Sequence, residues 1–395
     1  MISGISPERS GAVPATFPIA LLCLSSSWGG LELNTVRFAS WMQQRGWPVQ
    51  VITLPDSPIA ARAAELGLPV AVLRNPWKAA DLPAAGHLVG ALRGSGARAL
   101  IVTRNGDLGL AVLCKTLWLP ALRLVYQQHM QLGLTRRGLI HTLRYRALDA
   151  WLSPLRRLAA EVLEKTHLPA ARLHVVPLGI ELEKFAHSGL TQARAREQLE
   201  LNLPAGAVLL GLIGRFDDGK GQDFVVETLA MLRRRYPQLH LLLVGEPTRN
   251  EGNAYREAVL ARVRALGLAA AVHVRAFTPT PEVAYRALDI SLTASTNETY
   301  GMVTIEALAT GLPVVASATG GTLEIVADGR TGLLFPLRDE VAFAAVIEQL
   351  LRRPDFAARL GQQGQAEALA TYSHHRQCEL TEQVLHDLVT KSLGK

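Results

Sequence analysis

The chain has 395 residues, 49% of them hydrophobic and 19% charged, with a formal net charge of +7 at neutral pH. That length is too great for one compact domain and suits two, and the apolar content excludes disorder throughout. The three cysteines, Cys23, Cys114 and Cys378, stand far apart, which excludes a disulfide framework or a cysteine-built metal site and points to a reducing, cytoplasmic compartment.

Residues 1–16 are rich in Ser, Gly and Pro and read as a loose tail. The apolar run at 19–24 is too short to span a membrane and lacks a basic leader, so it reads as a buried first strand. A helical stretch at 31–44 follows. Short apolar runs at 49–54, 70–73, 100–103, 124–127 and 173–177 continue the series, with helical lengths between them. That alternation predicts a parallel sheet covered by helices on both faces. The pattern restarts after a break near 179–190. Runs at 208–213, 241–244, 272–275, 290–293, 314–316 and 332–335 predict a second sheet of the same kind. The expected domains are therefore 17–185 and 186–372. A last helical stretch at 373–395 is of a kind that can cross back to pack on the first domain.

Open parallel sheets bind ligands at the carboxyl ends of their strands, so the strand-to-helix loops are where chemistry is expected. The first is Ser25-Ser26-Ser27-Trp28-Gly29-Gly30-Leu31-Glu32. Gly29 and Gly30 let backbone approach a phosphate at a helix start, although a plain tight turn would use the same residues. It is not the G-x-G-x-x-G of dinucleotide binders. The second loop, Gly214 to Gly221, carries Arg215 and Lys220 between glycines, and two cations there can neutralise a diphosphate. Its spacing does not fit a Walker A loop.

The third loop runs from Thr296 to Leu308. Glu298 stands in it, and Glu306 lies more than a turn inside the helix expected to begin near Gly301. One carboxylate can face a ligand from the loop and the other from the helix, each able to accept hydrogen bonds from sugar hydroxyls. The N–H groups of Gly301, Met302 and Val303 lie between them, suited to a phosphate.

The stretch Ser295 to Ala316, ending Ala307-Leu308-Ala309-Thr310-Gly311-Leu312-Pro313-Val314-Val315-Ala316, resembles the signature of the family-four retaining glycosyltransferases. So do Gly320-Gly321-Thr322-Leu323-Glu324, the Gly214-Arg215-Phe216…Lys220-Gly221 loop and the Gly29-Gly30-Leu31-Glu32 loop, in the same order. The likeness covers most of the second domain and is thinner in the first. It implies the α/β fold called GT-B, two doubly wound Rossmann-like domains facing across a cleft. It implies that Arg215 and Lys220 hold the donor diphosphate, Glu306 the ribose and Glu298 the transferred sugar. The base would lie near Arg275, Ala276, Phe277 and Thr278, and the backbone at Gly29–Gly30 and Gly301 to Val303 would cradle phosphate. His129, after the run at 124–127, would touch the donor sugar, with His141 as a rival in the same region. Trp28 and Tyr300 depart from residues frequent in the family.

The resemblance further implies transfer of a hexosyl group from a UDP-, GDP- or ADP-sugar to a glycan or lipid-linked acceptor. The pathway would be cell-surface polysaccharide, lipopolysaccharide or glycolipid synthesis. The nucleotide sugar is a co-substrate, and no cofactor is expected. There is no Asp-x-Asp element, and the adjacent Asp217-Asp218 pair is a poor substitute, so no catalytic metal is expected. Two alternatives share the fold: an epimerase or phosphorylase, and a non-catalytic sugar-nucleotide-binding subunit. Nucleic acid is not an expected partner, because no stacking aromatics accompany the basic residues. The segment 135–148 mixes Arg136, Arg137, Arg144 and Arg146 with Leu and Ile at near-helical spacing. Either its apolar side packs on the sheet, or it contacts an anionic membrane at the inner face.

Overall fold

The computed structural model describes residues 16–74, 81–247, 252–278 and 280–390. The expected tail falls outside these residues apart from Thr16. The chain divides into two compact units, one of residues up to Gly179 together with those from His374, the other Ile180–Ser373. The first boundary falls six residues before the expected 185, so the short helix Glu183–Ala186 belongs to the second unit. The helix His374–Thr390 belongs to the first.

The first unit holds seven strands: β1 (Ile19–Cys23), β2 (Val49–Thr53), β3 (Val70–Val72), β4 (Ala99–Val102), β5 (Arg123–Gln127), β6 (Ala150–Ser153) and β7 (Leu173–Val175). They form one parallel sheet in the order β3-β2-β1-β4-β5-β6-β7. β1 is buried along its whole length because helices cover both faces, so its sequence is a continuous apolar run. The two-residue period then splits the core. Leu22 and its partner Val102 pack with Leu88, Leu110 and Trp151. Leu21 and Ile101 pack on the other face with Phe38, Met42, Val384 and Leu385. The last two side chains come from His374–Thr390. That helix is also held by Glu382, which takes a two-pronged contact from Arg45 and a 3.0 Å bond from Trp47 Nε1.

The second unit holds β8 (Val208–Ile213), β9 (Leu239–Val244), β10 (Val272–Arg275), β11 (Ile290–Thr293), β12 (Val314–Ser317) and β13 (Leu333–Phe335). They form a parallel sheet in the order β10-β9-β8-β11-β12-β13. In both sheets the order reverses beside the first strand, between β1 and β4 and between β8 and β11. Those are the switch points at which loops leave in opposite directions and a crevice opens. All three cysteines are free and buried, and burial pushes each thiol up to about 12.

Candidate active site

In the second unit the predicted residues gather at the carboxyl ends of β8 and β11. β8 ends at Ile213. The chain passes through Gly214 and Arg215 into a single 3-10 turn, Asp218–Lys220, before the helix Gln222–Arg233. The turn is built locally: Asp217 Oδ1 accepts the Gly219 N–H at 3.0 Å, and the Lys220 N–H donates to the Asp217 carbonyl at 2.8 Å. Gln222 Nε2 donates to the Arg215 carbonyl at 2.8 Å and fixes the start of the loop. Gly221 has φ +76°, and a Cβ there would lie 2.4 Å from the Ala294 carbonyl oxygen, so only glycine lets the loop approach β11 this closely.

The loop after β11 meets it. The Thr296 N–H donates to the Gly219 carbonyl at 2.9 Å, and Lys220 Nζ donates to Glu298 Oε2 at 2.8 Å. Both charged side chains are mostly shielded, at 23% and 13% exposure, which strengthens their attraction relative to a surface pair. The Glu298 carbonyl accepts the Gly321 N–H, tying this loop to the one after β12.

Gly301, with φ +90°, starts the helix Met302–Ala309. The N–H groups of Met302 and Val303 lie at the positive end of that helix. Glu306 stands just over one turn in, where Tyr285 reaches it: the phenol oxygen is 3.0 Å from Glu306 Oε2 and 3.1 Å from the Val303 carbonyl. Burial, reinforced by the Glu306 charge, holds the Tyr285 hydroxyl protonated. It is therefore a hydrogen-bond donor that fixes the carboxylate and the first turn of the helix together. No sequence signal marked Tyr285, because its partner lies 21 residues away on another helix. Tyr300 is buried and meets Tyr372 edge-on at 6.4 Å between ring centroids.

The loop at Arg275 to Thr278 departs in part from the expectation. The Arg275 guanidinium turns away to donate to the carbonyls of Leu199 at 2.7 Å and Glu200 at 3.0 Å, so it braces the sheet edge. The Arg275 carbonyl is taken by the Gly245 N–H. Thr278 bonds the Thr280 hydroxyl and N–H. Ala276 and Phe277 are exposed.

In the first unit the glycine loop follows β1. Glu32 is buried beside it and accepts a 2.6 Å bond from Ser25 Oγ, while Ser25 Oγ in turn accepts from the Ser27 N–H at 3.2 Å. Gly29 precedes the helix Gly30–Gln44, and a Cβ at Gly29 would sit 3.4 Å from Glu32 Oε2. Asp107 caps the end of β1 by accepting the Leu24 N–H at 2.8 Å; burial raises its carboxyl to about 6 against that bond and Arg104. Asp107 carried no sequence signal.

His129 follows β5 in a pinned turn. Gln128 takes the Trp151 Nε1–H at 3.0 Å and gives its own amide to the Met130 carbonyl at 3.0 Å. His129 is 8% exposed, its Nε2 has no partner among the described residues, and burial lowers its imidazole to about 4. It is a neutral ring at neutral pH with one nitrogen to offer. Its rival His141 stacks on Tyr145 and its Nε2 pairs with Arg136 at 3.4 Å, while its Nδ1, like Nε2 of His129, has no partner among the described residues.

Residues 194–367 match the model for glycosyl transferases group 1, and residues 28–184 match that for glycosyltransferase family 4. The chain belongs to the group 1 glycosyltransferases. A D-inositol 3-phosphate glycosyltransferase of Corynebacterium urealyticum is 34% identical over 200 residues, covering 50% of this chain and 47% of that protein. The chain thus spans about half the length of the curated relatives it matches. Among solved structures, Anabaena Alr3699/HepE in complex with UDP superposes with a TM-score of 0.81 at 21% identity, covering 93% of this chain and 99% of that one. A glycosyltransferase from Rickettsia africae gives a TM-score of 0.85 at 15% identity over 95% of this chain and 99% of its own. The fold of this group 1 glycosyltransferase is GT-B.

Proposed function

We propose that the chain transfers a hexosyl group from a nucleoside diphosphate sugar to a hydroxyl acceptor, with retention at the anomeric carbon and without a bound metal. The observation that carries this reading is the Lys220–Glu298 pair at the strand ends of one sheet, with Arg215 on the same loop as the lysine and the helix start at Gly301 on the same loop as the glutamate. A cation pair and N–H groups suit a diphosphate, and flanking carboxylates suit sugar hydroxyls. HepE has been solved with UDP and with UDP-glucose, which supports a nucleotide sugar as donor and makes UDP-glucose the first to try. For the acceptor we propose a glycan or lipid-linked sugar that is extended in the cytoplasm during synthesis of cell-surface polysaccharide, lipopolysaccharide or glycolipid. The inositol phosphate in the names of the relatives is the alternative acceptor to include.

In this scheme the acceptor hydroxyl attacks the anomeric carbon from the face that the diphosphate leaves. The carbon–oxygen bond to phosphate breaks as the bond to the acceptor oxygen forms. The hydroxyl proton passes to a departing phosphate oxygen, so no protein nucleophile is needed. Negative charge grows on the leaving group, and Arg215, Lys220 and the N–H groups of Met302 and Val303 stabilise it more than the ground state. Glu298 orients the sugar and Glu306 the ribose.

Exchanging each acid separately tests the division of roles. Glu306→Gln should weaken binding of a free nucleoside diphosphate about tenfold, the size expected for one lost charged hydrogen bond. Glu298→Gln should leave nucleotide affinity nearly unchanged and lower the transfer rate. Calorimetry and radiolabelled-sugar transfer read the two effects. Normal binding and transfer by both variants would show the paired-acid assignment to be wrong.

Metal independence has its own check, motivated by the missing Asp-x-Asp element. Transfer activity should persist in EDTA. Complete loss, restored by magnesium or manganese, would contradict it.

A further inference from the structure

The segment that runs from β5 to β6 carries an unusual surface. Met130, Leu134, Leu139, Ile140 and Leu143 are 66, 73, 76, 72 and 60% exposed. The helix Leu139–Arg146 packs inward through Tyr145, and its Leu139, Ile140 and Leu143 face solvent. Of the two readings of 135–148, packing of its apolar side on the sheet does not hold for these residues. The loop before it is anchored, since Lys165 Nζ donates to the Gly133 carbonyl and the Arg136 N–H donates to the Lys165 carbonyl, each at 2.8 Å, and Leu132 is buried. The exposed side chains are thus held out by a fixed backbone. Leu139, Ile140 and Leu143 share one face of the helix by their spacing, and apolar exposure of this kind marks a surface that something covers.

We propose that this surface docks on an anionic lipid bilayer, with the aliphatic side chains entering the headgroup boundary and Arg137, Arg144 and Arg146 meeting lipid phosphates. Charge selects that occupant. No Asp or Glu occurs from Met130 to Leu148. The next acid, Asp149, is already bound by Lys115 and Arg123. The segment therefore presents positive charge and hydrocarbon and carries no acid of its own, and Glu161, which lies beside it, is paired with Lys165. The side-chain types argue against a protein partner. Interface anchors are enriched in Trp and Tyr and poor in Leu, whereas Leu and Ile dominate here and Tyr145 is turned inward. No helix among the described residues is long and apolar enough to cross a membrane, so the contact is peripheral. The inference goes beyond the proposed transfer reaction and stands or falls without it.

Vesicle flotation tests it directly, with phosphatidylcholine alone and with phosphatidylcholine containing phosphatidylglycerol. Wild type should float with the anionic vesicles at low salt and far less with neutral ones. Changing Leu139, Ile140 and Leu143 together to Ser should reduce partitioning by roughly tenfold per side chain. Changing Arg137, Arg144 and Arg146 to Glu should reduce it by at least about fivefold per position. All six side chains lie on the surface helix or its entry loop, and thermal melting confirms that each variant is folded. Should wild type stay unbound to anionic vesicles at low salt, the surface belongs to a protein partner and the proposal is overturned. Flotation of the folded triple-serine variant equal to wild type would overturn it as well.

Discussion

Replacing Lys220 by alanine is expected to cut sugar transfer by about tenfold to a hundredfold, the equivalent of roughly 1.5–3 kcal/mol for one charge-assisted contact. Two effects add. The cation that meets the leaving diphosphate is gone, and Glu298 loses the ammonium that holds its carboxylate 2.8 Å away. A carboxylate left alone at 13% exposure is poorly solvated and will rotate away, so the sugar loses its oriented acceptor as well. The fold should survive, because the turn around Lys220 is closed by backbone atoms and Asp217 rather than by the lysine side chain. Steady-state kinetics and a thermal melt on the same preparation distinguish the cases. An unchanged rate in a folded variant would remove Lys220 from the reaction.

Gly320→Ala should be more damaging still, and to stability as well as rate. Gly320 has φ +51°, and a Cβ built there lies 2.2 Å from the Glu298 carbonyl oxygen and 2.8 Å from its nitrogen. These are backbone atoms, so no side chain can rotate to make room. The Glu298 loop must move, and its bond from the Gly321 N–H goes with it. Left-handed backbone and crowding together should cost on the order of 3 kcal/mol. A domain of this size should then melt roughly 6–12 °C lower. A displacement of the carboxylate by about 1 Å is enough to lose roughly a hundredfold in rate. Gly94→Ala is the contrast. Gly94 lies in the helix Leu82–Ser95 with nothing within 4 Å of its Cβ and no positive φ, so the change should be neutral or mildly stabilising. Equal melting temperatures for the two variants would refute the close-approach argument.

The sheets were legible because most of their inner strands are buried on both faces and write themselves as apolar runs. β6 was not. Its four residues, Ala150–Ser153, follow the helix Leu139–Arg146 after only a short link, Ala147 to Asp149, with no glycine or proline to mark the break. The loops of the second unit were legible through their glycines, since Gly221, Gly301 and Gly320 all occupy left-handed backbone that few other residues adopt. What those loops touch was not legible. The Tyr285–Glu306 bond and the bracing of Leu199 and Glu200 by Arg275 join residues far apart in sequence, and only the packed fold brings them together. The outward face of Leu139, Ile140 and Leu143 was hidden for a related reason. An eight-residue helix with one buried anchor, Tyr145, has the same composition whichever face turns in.

The central claim is that the loops after β8 and β11 form a diphosphate site. Calorimetric titration of wild type and Lys220→Ala with UDP, GDP and ADP tests it most directly. Wild type should bind at least one of the three, and the variant should bind that nucleotide about tenfold or more weakly. Failure of all three to bind wild type, or equal affinity in the two proteins, would contradict it.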